Sequence, residues 1–168
     1  MAYEQHIQAS SGQSARCAVL TLSDTRTQET DTSGQKIRDL LAGAGHVAAE
    51  SRIIPDDIGA LRQVMDEWLS RPDIDAILTN GGTGISRRDQ TIDIIQQYID
   101  KPLPGFGELF RMLSWEQIGS GAMLSRAAGG ISRGKIVFAM PGSTKAVDLA
   151  MTRLILPEMG HLLGELRK

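Results

Sequence analysis

The sequence of 168 residues has one cysteine, Cys17, and three histidines, His6, His46 and His161. A single cysteine cannot form an intrachain disulfide or a cysteine-based zinc site, and the histidines lack the spacing of metal ligands. The apolar runs are too short to span a bilayer, and the N-terminal segment lacks the apolar stretch of a secretory signal. The sequence therefore predicts a cytoplasmic protein that does not enter a membrane.

Aromatic residues and excess charge are also scarce. Phe, Trp and Tyr make up 4% of the chain and apolar residues 41%, so the core must be mainly aliphatic. The formal net charge is -2, which provides no overall positive field to attract nucleic acid or anionic lipid. A small anionic ligand is still compatible with this charge, because a local group of backbone amides can bind an anion.

The length of the chain suits one compact domain, since domains usually have about 100–150 residues. Residues 1–14 are polar and show no hydrophobic periodicity. We therefore predict a flexible N-terminal tail over 1–14 and a single domain over 15–168. Glycine is abundant, with 18 residues, which indicates many turns or close backbone approaches.

Short apolar runs alternate with helical patterns along the domain. Apolar runs without polar alternation are typical of strands buried on both faces of a parallel sheet. The alternation predicts an α/β fold of three layers, in which a central, mostly parallel sheet lies between helices. The predicted strands are 15–23, 47–54, 74–79 and 135–140, with a weak, glycine-containing edge strand at 127–131. The predicted helices begin near residues 32, 57, 91 and 143, with a short helix within 102–115.

Four loops connect a predicted strand to the helix that follows it, and they span residues 23–34, 55–57, 80–89 and 141–145. In an open parallel sheet, ligands bind outside the carboxyl ends of the strands. We therefore expect these loops to meet in one cleft, where amides at helix starts favour phosphate. The glycine-rich segment 80–84 is neither a Walker A loop nor GxGxxG, and a tight turn with positive φ explains it equally well.

Local sequence leaves two interpretations open for Asp56 and Asp89. Either carboxylate could cap the helix that follows it, and Asp89 could also pair with the neighbouring arginines. Alternatively, both line the cleft, where carboxylate oxygens hold Mg²⁺ beside a triphosphate. Lys145 and either Arg87 or Arg88 would neutralise phosphate charge there, unless these side chains are simply solvated.

Several short segments, taken in order, resemble the MoaB/MogA family of molybdenum cofactor biosynthesis proteins, and its MoaB branch most closely. The resemblance runs from about residue 16 to beyond residue 153. Each segment is weak alone, but the ordered set is highly specific. Asn80 stands where the MogA branch commonly has a second threonine. The segments are TNGGTG at 79–84, RDQT at 88–91, PGFGE at 104–108, SR at 125–126 and MPGS at 140–143.

The resemblance implies the MogA-like α/β/α fold and a homo-oligomer, either a trimer or, in the MoaB branch, a hexamer. It implies that molybdopterin is adenylylated with Mg²⁺ and ATP, and that pyrophosphate is released. The two acidic site positions of the family fall on Asp56 and Asp89, one or both of which would hold Mg²⁺. We further expect Phe106, Phe110 or Trp115 to bury a subunit contact, with ordinary core packing as the alternative.

The remaining site residues lie in the same motifs. Amides of Gly81, Gly82 and Gly84 are expected to hold phosphate oxygens. A non-catalytic molybdopterin-binding or delivery protein of the same fold is the alternative function, because a fold and a pocket do not establish turnover. The residues expected to contact substrate or nucleotide are Ser23, Asp24, Ser33, Gly34, Thr79, Gly81, Gly82, Thr83, Gly84, Glu108, Pro141, Gly142 and Ser143.

Overall fold

The structure is a computed structural model that describes residue 3 and residues 12–168. The predicted tail over 1–14 lies mostly outside the described residues, so the tail and its boundary with the domain stay predictions. The strands are β1 (Arg16–Leu22), β2 (Val47–Ile54), β3 (Ala76–Asn80), β4 (Lys101–Pro102), β5 (Ala128–Ser132) and β6 (Lys135–Met140). The α-helices are α1 (Thr32–Gly43), α2 (Ile58–Ser70), α3 (Thr91–Tyr98), α4 (Pro104–Ile118), α5 (Thr144–Ala150) and α6 (Leu156–Leu166).

These six strands form one sheet in the order β2-β1-β3-β6-β5-β4. The first four are mutually parallel, β5 is antiparallel to β6, and β4 is antiparallel to β5. The sheet is therefore mostly parallel, as predicted. The strand order reverses between β1 and β3, which is where an open α/β sheet forms its ligand crevice.

The prediction that residues 127–131 form an edge strand is wrong. β5 lies between β6 and β4, and β4 pairs Lys101 with Ile131 and Pro102 with Gly130. Only two residues make up β4, and one of them is a proline that cannot donate to a ladder. A two-residue segment has no strand periodicity, so the sequence does not indicate that another strand pairs with β5.

Helices cover both faces of the sheet and create two aliphatic cores. On one face, α1, α4, α5 and α6 pack against β-strand side chains such as Val19 and Leu78. On the other face, α2 and α3 pack against Leu20 and Ile77. No helix in the described part of the chain is long and apolar enough to cross a bilayer. The layers confirm the predicted three-layer fold.

Helix α4 has 15 residues and continues into a 3-10 helix over Gly119–Leu124, so it is longer than the short helix predicted. Phe106 and Phe110 are buried in the chain's own core, with the Phe106 and Phe138 ring centroids 4.6 Å apart. Ordinary core packing is thus the correct interpretation for both phenylalanines. The opposite side of α4 and the 3-10 helix form an exposed apolar face of Leu109, Met112, Trp115, Ile118, Met123 and Leu124.

Candidate functional site

Hydrogen bonds join the loops at the carboxyl ends of β1 and β2, and those at the carboxyl ends of β3 and β6. The Ser23 amide donates to Ile54 O at 2.9 Å, and the Asp56 amide donates to Asp24 Oδ1 at 3.1 Å. The Gly81 amide donates to Met140 O at 3.1 Å. The predicted convergence of the four loops at one edge of the sheet is therefore confirmed.

Glycine is required in the β3–α3 loop because backbone and side chains approach it closely. Gly81 has a φ of +95°, and a Cβ atom there would overlap Leu22 O. A Cβ atom on Gly142 would lie 3.0 Å from the Gly81 Cα, so the β3 and β6 loops touch. Because the Gly81 amide is bonded to Met140 O, it is not available to phosphate, contrary to expectation. The turn interpretation therefore holds at Gly81, while the site interpretation stays a prediction for Gly82 and Gly84.

A buried polar network fixes the loop from the side of α1. Asp31 caps α1 by accepting from the Gly34 amide at 3.0 Å, and Thr21 Oγ1 donates to Asp31 Oδ2 at 2.9 Å. Ser33 Oγ donates to Asn80 Oδ1 at 2.7 Å, and Asn80 Nδ2 donates to Thr21 Oγ1 at 3.0 Å. Ser33 and Gly34, predicted to contact ligand, are both buried: Ser33 holds the end of β3 in place, and Gly34 is part of the α1 cap.

Arg26 extends this network to the β6–α5 loop. This role of Arg26 was not predicted from the sequence. Its Nη2 donates to Gly142 O at 2.8 Å, its Nη1 contacts Ser33 Oγ, and Nη1 lies 3.6 Å from Asp31 Oδ1. Ser23 Oγ accepts from the Arg26 amide at 3.1 Å, which fixes the start of the loop. Since Arg26 is 116 positions from Gly142, no local spacing could have indicated it.

Asp56 is not a helix cap. The residue that caps α2 is Asp57, whose Oδ1 accepts from the Ala60 amide at 2.8 Å. Asp56 Oδ1 is buried and has no hydrogen-bond partner among the described residues. A Cβ atom on Gly82 would lie 2.8 Å from this oxygen. Burial raises the pKa of Asp56, nearby Asp24 and Asp89 raise it further, and Arg88 opposes them.

Asp89 does not cap α3 either, because α3 begins after Gln90 without a side-chain cap. Its Oδ2 accepts from the Ser86 amide at 3.1 Å and from Ser86 Oγ at 2.5 Å. A Cβ atom on Gly84 would lie 2.7 Å from the same oxygen. Arg126 donates to Gly84 O at 3.3 Å and thereby holds the loop against α3. Both carboxylates thus lie at the glycine loop, although Arg88 pairs with Asp24 and not with Asp89.

The other predicted residues fall into two groups. Ser143 caps α5 by accepting from the Ala146 amide at 3.2 Å, next to Pro141 and Gly142 in the cleft. Thr79 and Thr83 are buried. Glu108 lies elsewhere, in a cavity of about 420 Å³ between α3 and α4 that shares no lining residue with the cavity at Asp56. The structure therefore does not bring Glu108 together with the other predicted residues.

Comparison with known proteins agrees with this arrangement. A family model described as "Probable molybdopterin binding domain" matches residues 18–161. The molybdenum cofactor biosynthesis protein B of Halalkalibacterium halodurans is 50% identical over 169 residues, which cover 100% of this chain and 99% of the relative. The chain belongs to the MoaB family. The resemblance inferred from the ordered motifs is confirmed.

Solved structures of MoaB proteins have the same fold. A crystal structure of a molybdenum cofactor biosynthesis protein B matches with a TM-score of 0.90 at 52% identity, covering 92% of this chain and 97% of that one. The tungsten cofactor synthesizing protein MoaB from Pyrococcus furiosus matches with a TM-score of 0.84 at 34% identity, covering 94% and 100%. The MogA/MoaB fold expected from the resemblance is therefore confirmed.

The donors at this MoaB site fit Mg²⁺ only together with a phosphate ligand. The described residues contain no group of three or more His, Cys, Asp or Glu that could hold a metal. Mg²⁺ commonly binds through one or two carboxylates, with substrate phosphates and water as its other ligands. The unpartnered Oδ1 of Asp56 and the neighbouring Asp89 carboxylate supply oxygens of that kind.

Replacing Asp56 with asparagine should make the protein more stable at neutral pH. The pKa of Asp56 is raised above its ordinary value of 3.8, so the folded state disfavours the charged form that dominates at pH 7. As the pH falls through the raised pKa towards 3.8, Asp56 is protonated in the folded state before it is protonated in the unfolded state, and the destabilisation disappears. The melting temperature of Asp56→Asn should therefore exceed that of wild type at pH 7, and the difference should shrink on acidification.

Thermal unfolding of both proteins between pH 4 and pH 7 checks this expectation, with about one pH unit between measurements. Asp57→Asn is the matched control, because asparagine caps a helix about as well as aspartate does. A lower melting temperature for Asp56→Asn than for Asp57→Asn at pH 7 would contradict the prediction.

Proposed function

We propose that this MoaB-family protein transfers the adenylyl group of ATP to molybdopterin. A terminal phosphate oxygen of molybdopterin attacks the α-phosphorus of ATP. The bond from that phosphorus to the oxygen bridging to the β-phosphate breaks, and pyrophosphate leaves. The observation that supports this reaction best is the buried, unpartnered Asp56 Oδ1 beside the glycine loop, because it is costly unless a cation binds there.

The chain's contribution to this reaction is positioning and charge neutralisation. The attacking phosphate is already anionic, so no strong general base is needed. The amides of Gly82 and Gly84 hold phosphate oxygens, while the Gly81 amide keeps the loop against β6. Asp56 and Asp89, one or both, would hold Mg²⁺, which would neutralise charge on the leaving pyrophosphate. Arg88, which is exposed beside Asp24, adds a further positive charge at this side of the cleft.

Turnover by the purified protein tests the proposal. The protein is incubated with molybdopterin, ATP and Mg²⁺, and adenylylated pterin and pyrophosphate are measured together. Equal amounts of the two products are expected, and neither should form when Mg²⁺ is chelated. Tight binding of molybdopterin without pyrophosphate release would instead establish the binding or delivery protein.

We further propose that the chain forms a trimer or a hexamer through the exposed apolar face of α4. Trp115 is 62% exposed and Met112 is 56% exposed, in a patch that also contains Leu109 and Ile118. Patches of this kind commonly mark protein–protein contacts. Light scattering at micromolar concentration should give a trimeric or hexameric mass, and Trp115→Glu should lower it. A monomeric wild type would refute this assembly.

A further inference from the structure

Residues 84–89 form a compact turn at the surface (the 84–89 turn), and all but the last of them are exposed. The Ser86 amide and hydroxyl both donate to Asp89 Oδ2, and the Asp89 amide donates to Ser86 O at 3.1 Å. Where the turn joins the domain, the Thr91 amide donates to Gly82 O at 3.1 Å. The turn is thus held together internally but has little packing against the domain, so without a further contact it would swing as a unit about this bond.

Two side chains from outside the 84–89 turn bond to it, among the residues that the structure describes. Asp24 pairs with Arg88, but the Arg88 side chain is 69% exposed, and exposed ion pairs contribute little to stability. The other side chain is that of Arg126, which reaches both ends of the turn. Its Nη1 donates to Gly84 O at 3.3 Å and lies 3.5 Å from Asp89 O. Arg126 is therefore the contact that fixes the turn in place.

Arg126 is itself anchored both at its backbone and at its guanidinium group. It lies two positions before β5, which is paired on both sides, with β6 and with β4. The Ser125 amide donates to Ala122 O at 3.0 Å, so the chain that leads into Arg126 is also bonded. Arg126 Nη2 donates to Asp93 Oδ1 at 2.6 Å, in the first turn of α3. The interior of the sheet thus determines where the 84–89 turn lies.

The two ends of the 84–89 turn carry groups that the proposed reaction uses. The Gly84 amide would hold a phosphate oxygen, and the Asp89 carboxylate would help to hold Mg²⁺ on the same nucleotide. These two groups must keep a fixed separation, because a displacement of about 1 Å can lower a rate about a hundredfold.

We propose that Arg126 is a positioning residue, which sets the separation of the Gly84 amide and the Asp89 carboxylate without contacting substrate. This inference rests on the function proposed above and adds a residue that acts through the loop. The alternative is an ion pair that only stabilises the start of α3. Asp93 is 55% exposed, so such a pair would contribute little.

The mobility of the turn in the protein without substrate tests this inference. Ile85 is 73% exposed, so a nitroxide label on Ile85→Cys reports motion of the turn by electron paramagnetic resonance. The natural Cys17 is buried and its pKa is raised to about 12 by burial, so it should not react with the label. Adding Arg126→Gln should shorten the rotational correlation time of the label about twofold or more, and Arg126→Lys should shorten it less.

Asp93→Asn is the matched control, because asparagine keeps an Oδ1 acceptor for Arg126 while the ion pair is lost. Its label mobility should equal that of wild type. Melting temperatures of the same preparations show whether each variant is folded.

Turnover is measured on the corresponding variants without the label. Arg126→Gln should lower kcat about tenfold or more and leave the KM for molybdopterin within about twofold, because the positioned groups act on the departing pyrophosphate. Arg126→Lys should lie between Arg126→Gln and wild type. Asp93→Asn should have the wild-type kcat.

Unchanged label mobility in Arg126→Gln, or an equal increase in Asp93→Asn, overturns the inference. A direct contact between Arg126 and substrate would weaken binding of a magnesium-bound, non-cleavable ATP analogue without changing label mobility, and that result also overturns it. If wild type releases no pyrophosphate, the proposed function is wrong, while label mobility still decides whether Arg126 fixes the turn.

Discussion

Asp89→Asn should lower the rate of adenylyl transfer by about a hundredfold or more without unfolding the protein. Asparagine is nearly isosteric with aspartate and keeps an oxygen that can accept from the Ser86 amide and hydroxyl. The loop should therefore keep its shape, while the charge that helps to hold Mg²⁺ is lost. The expected loss corresponds to about 2.7 kcal/mol of transition-state stabilisation.

Pyrophosphate release, pterin affinity and melting temperature are to be measured on the same preparations of Asp89→Asn and Asp56→Asn. Pterin affinity should change less than turnover, because the charge matters most where the pyrophosphate leaves. Asp57→Asn is again the control, since its carboxylate is next in sequence but caps α2. If both Asp89→Asn and Asp56→Asn release pyrophosphate at the wild-type rate, neither carboxylate is catalytic. That result would favour the alternative of a non-catalytic molybdopterin-binding protein.

Gly81→Ala should destabilise the fold by about 3 kcal/mol or more, and lower the melting temperature by roughly 6–12 °C. A side chain at a φ of +95° is strained, and the new methyl group would overlap the carbonyl oxygen of Leu22. That oxygen belongs to the backbone at the end of β1, so it cannot rotate away. Removing this overlap requires the ends of β1 and β3 to move apart, which also disturbs the cleft.

Gly43→Ala is the matched control for this substitution. A Cβ atom on Gly43, in α1, meets nothing within 4 Å. Alanine there should be neutral or stabilising by up to about 1 kcal/mol, because it favours the helix and restricts the unfolded chain. Denaturant or thermal unfolding of the two variants measures the contrast. Equal stability of Gly81→Ala and Gly43→Ala would contradict this prediction, because it would show that the ends of β1 and β3 can move apart at little cost in free energy.

Periodicity predicted the elements that are strongly apolar and bounded by turn residues. The strands 47–54 and 135–140 match the structure at both ends, and helix α3 begins at residue 91, as predicted. The two-residue strand β4 escaped prediction because pairing with β5, and not its own sequence, makes it a strand. Helix α4 was predicted too short because its exposed apolar side obscures the helical period.

The sequence predicts which loops form the candidate site more reliably than it predicts which atoms of those loops are available to a ligand. The loops follow the ends of the predicted strands, and parallel strands place those ends at one edge of the sheet. Which carboxylate caps α2 could not be known, because Asp56 and Asp57 are adjacent and equally good caps. The bond from the Gly81 amide to Met140 O and the position of Arg26 depend on contacts between distant segments. Local spacing carries no information about such contacts.

The buried network of Thr21, Asp31, Ser33 and Asn80 also bears on how the protein folds. Its members come from the end of β1, the start of α1 and the end of β3, and Ser33 and Asn80 are 47 positions apart. The hydrogen bonds that Asn80 makes with Ser33 and Thr21 cannot form until β1 and β3 have paired, so they belong to the late, non-local part of folding. A partly folded chain therefore has no cleft. A ligand that binds the cleft would therefore select completely folded molecules and stabilise them by mass action.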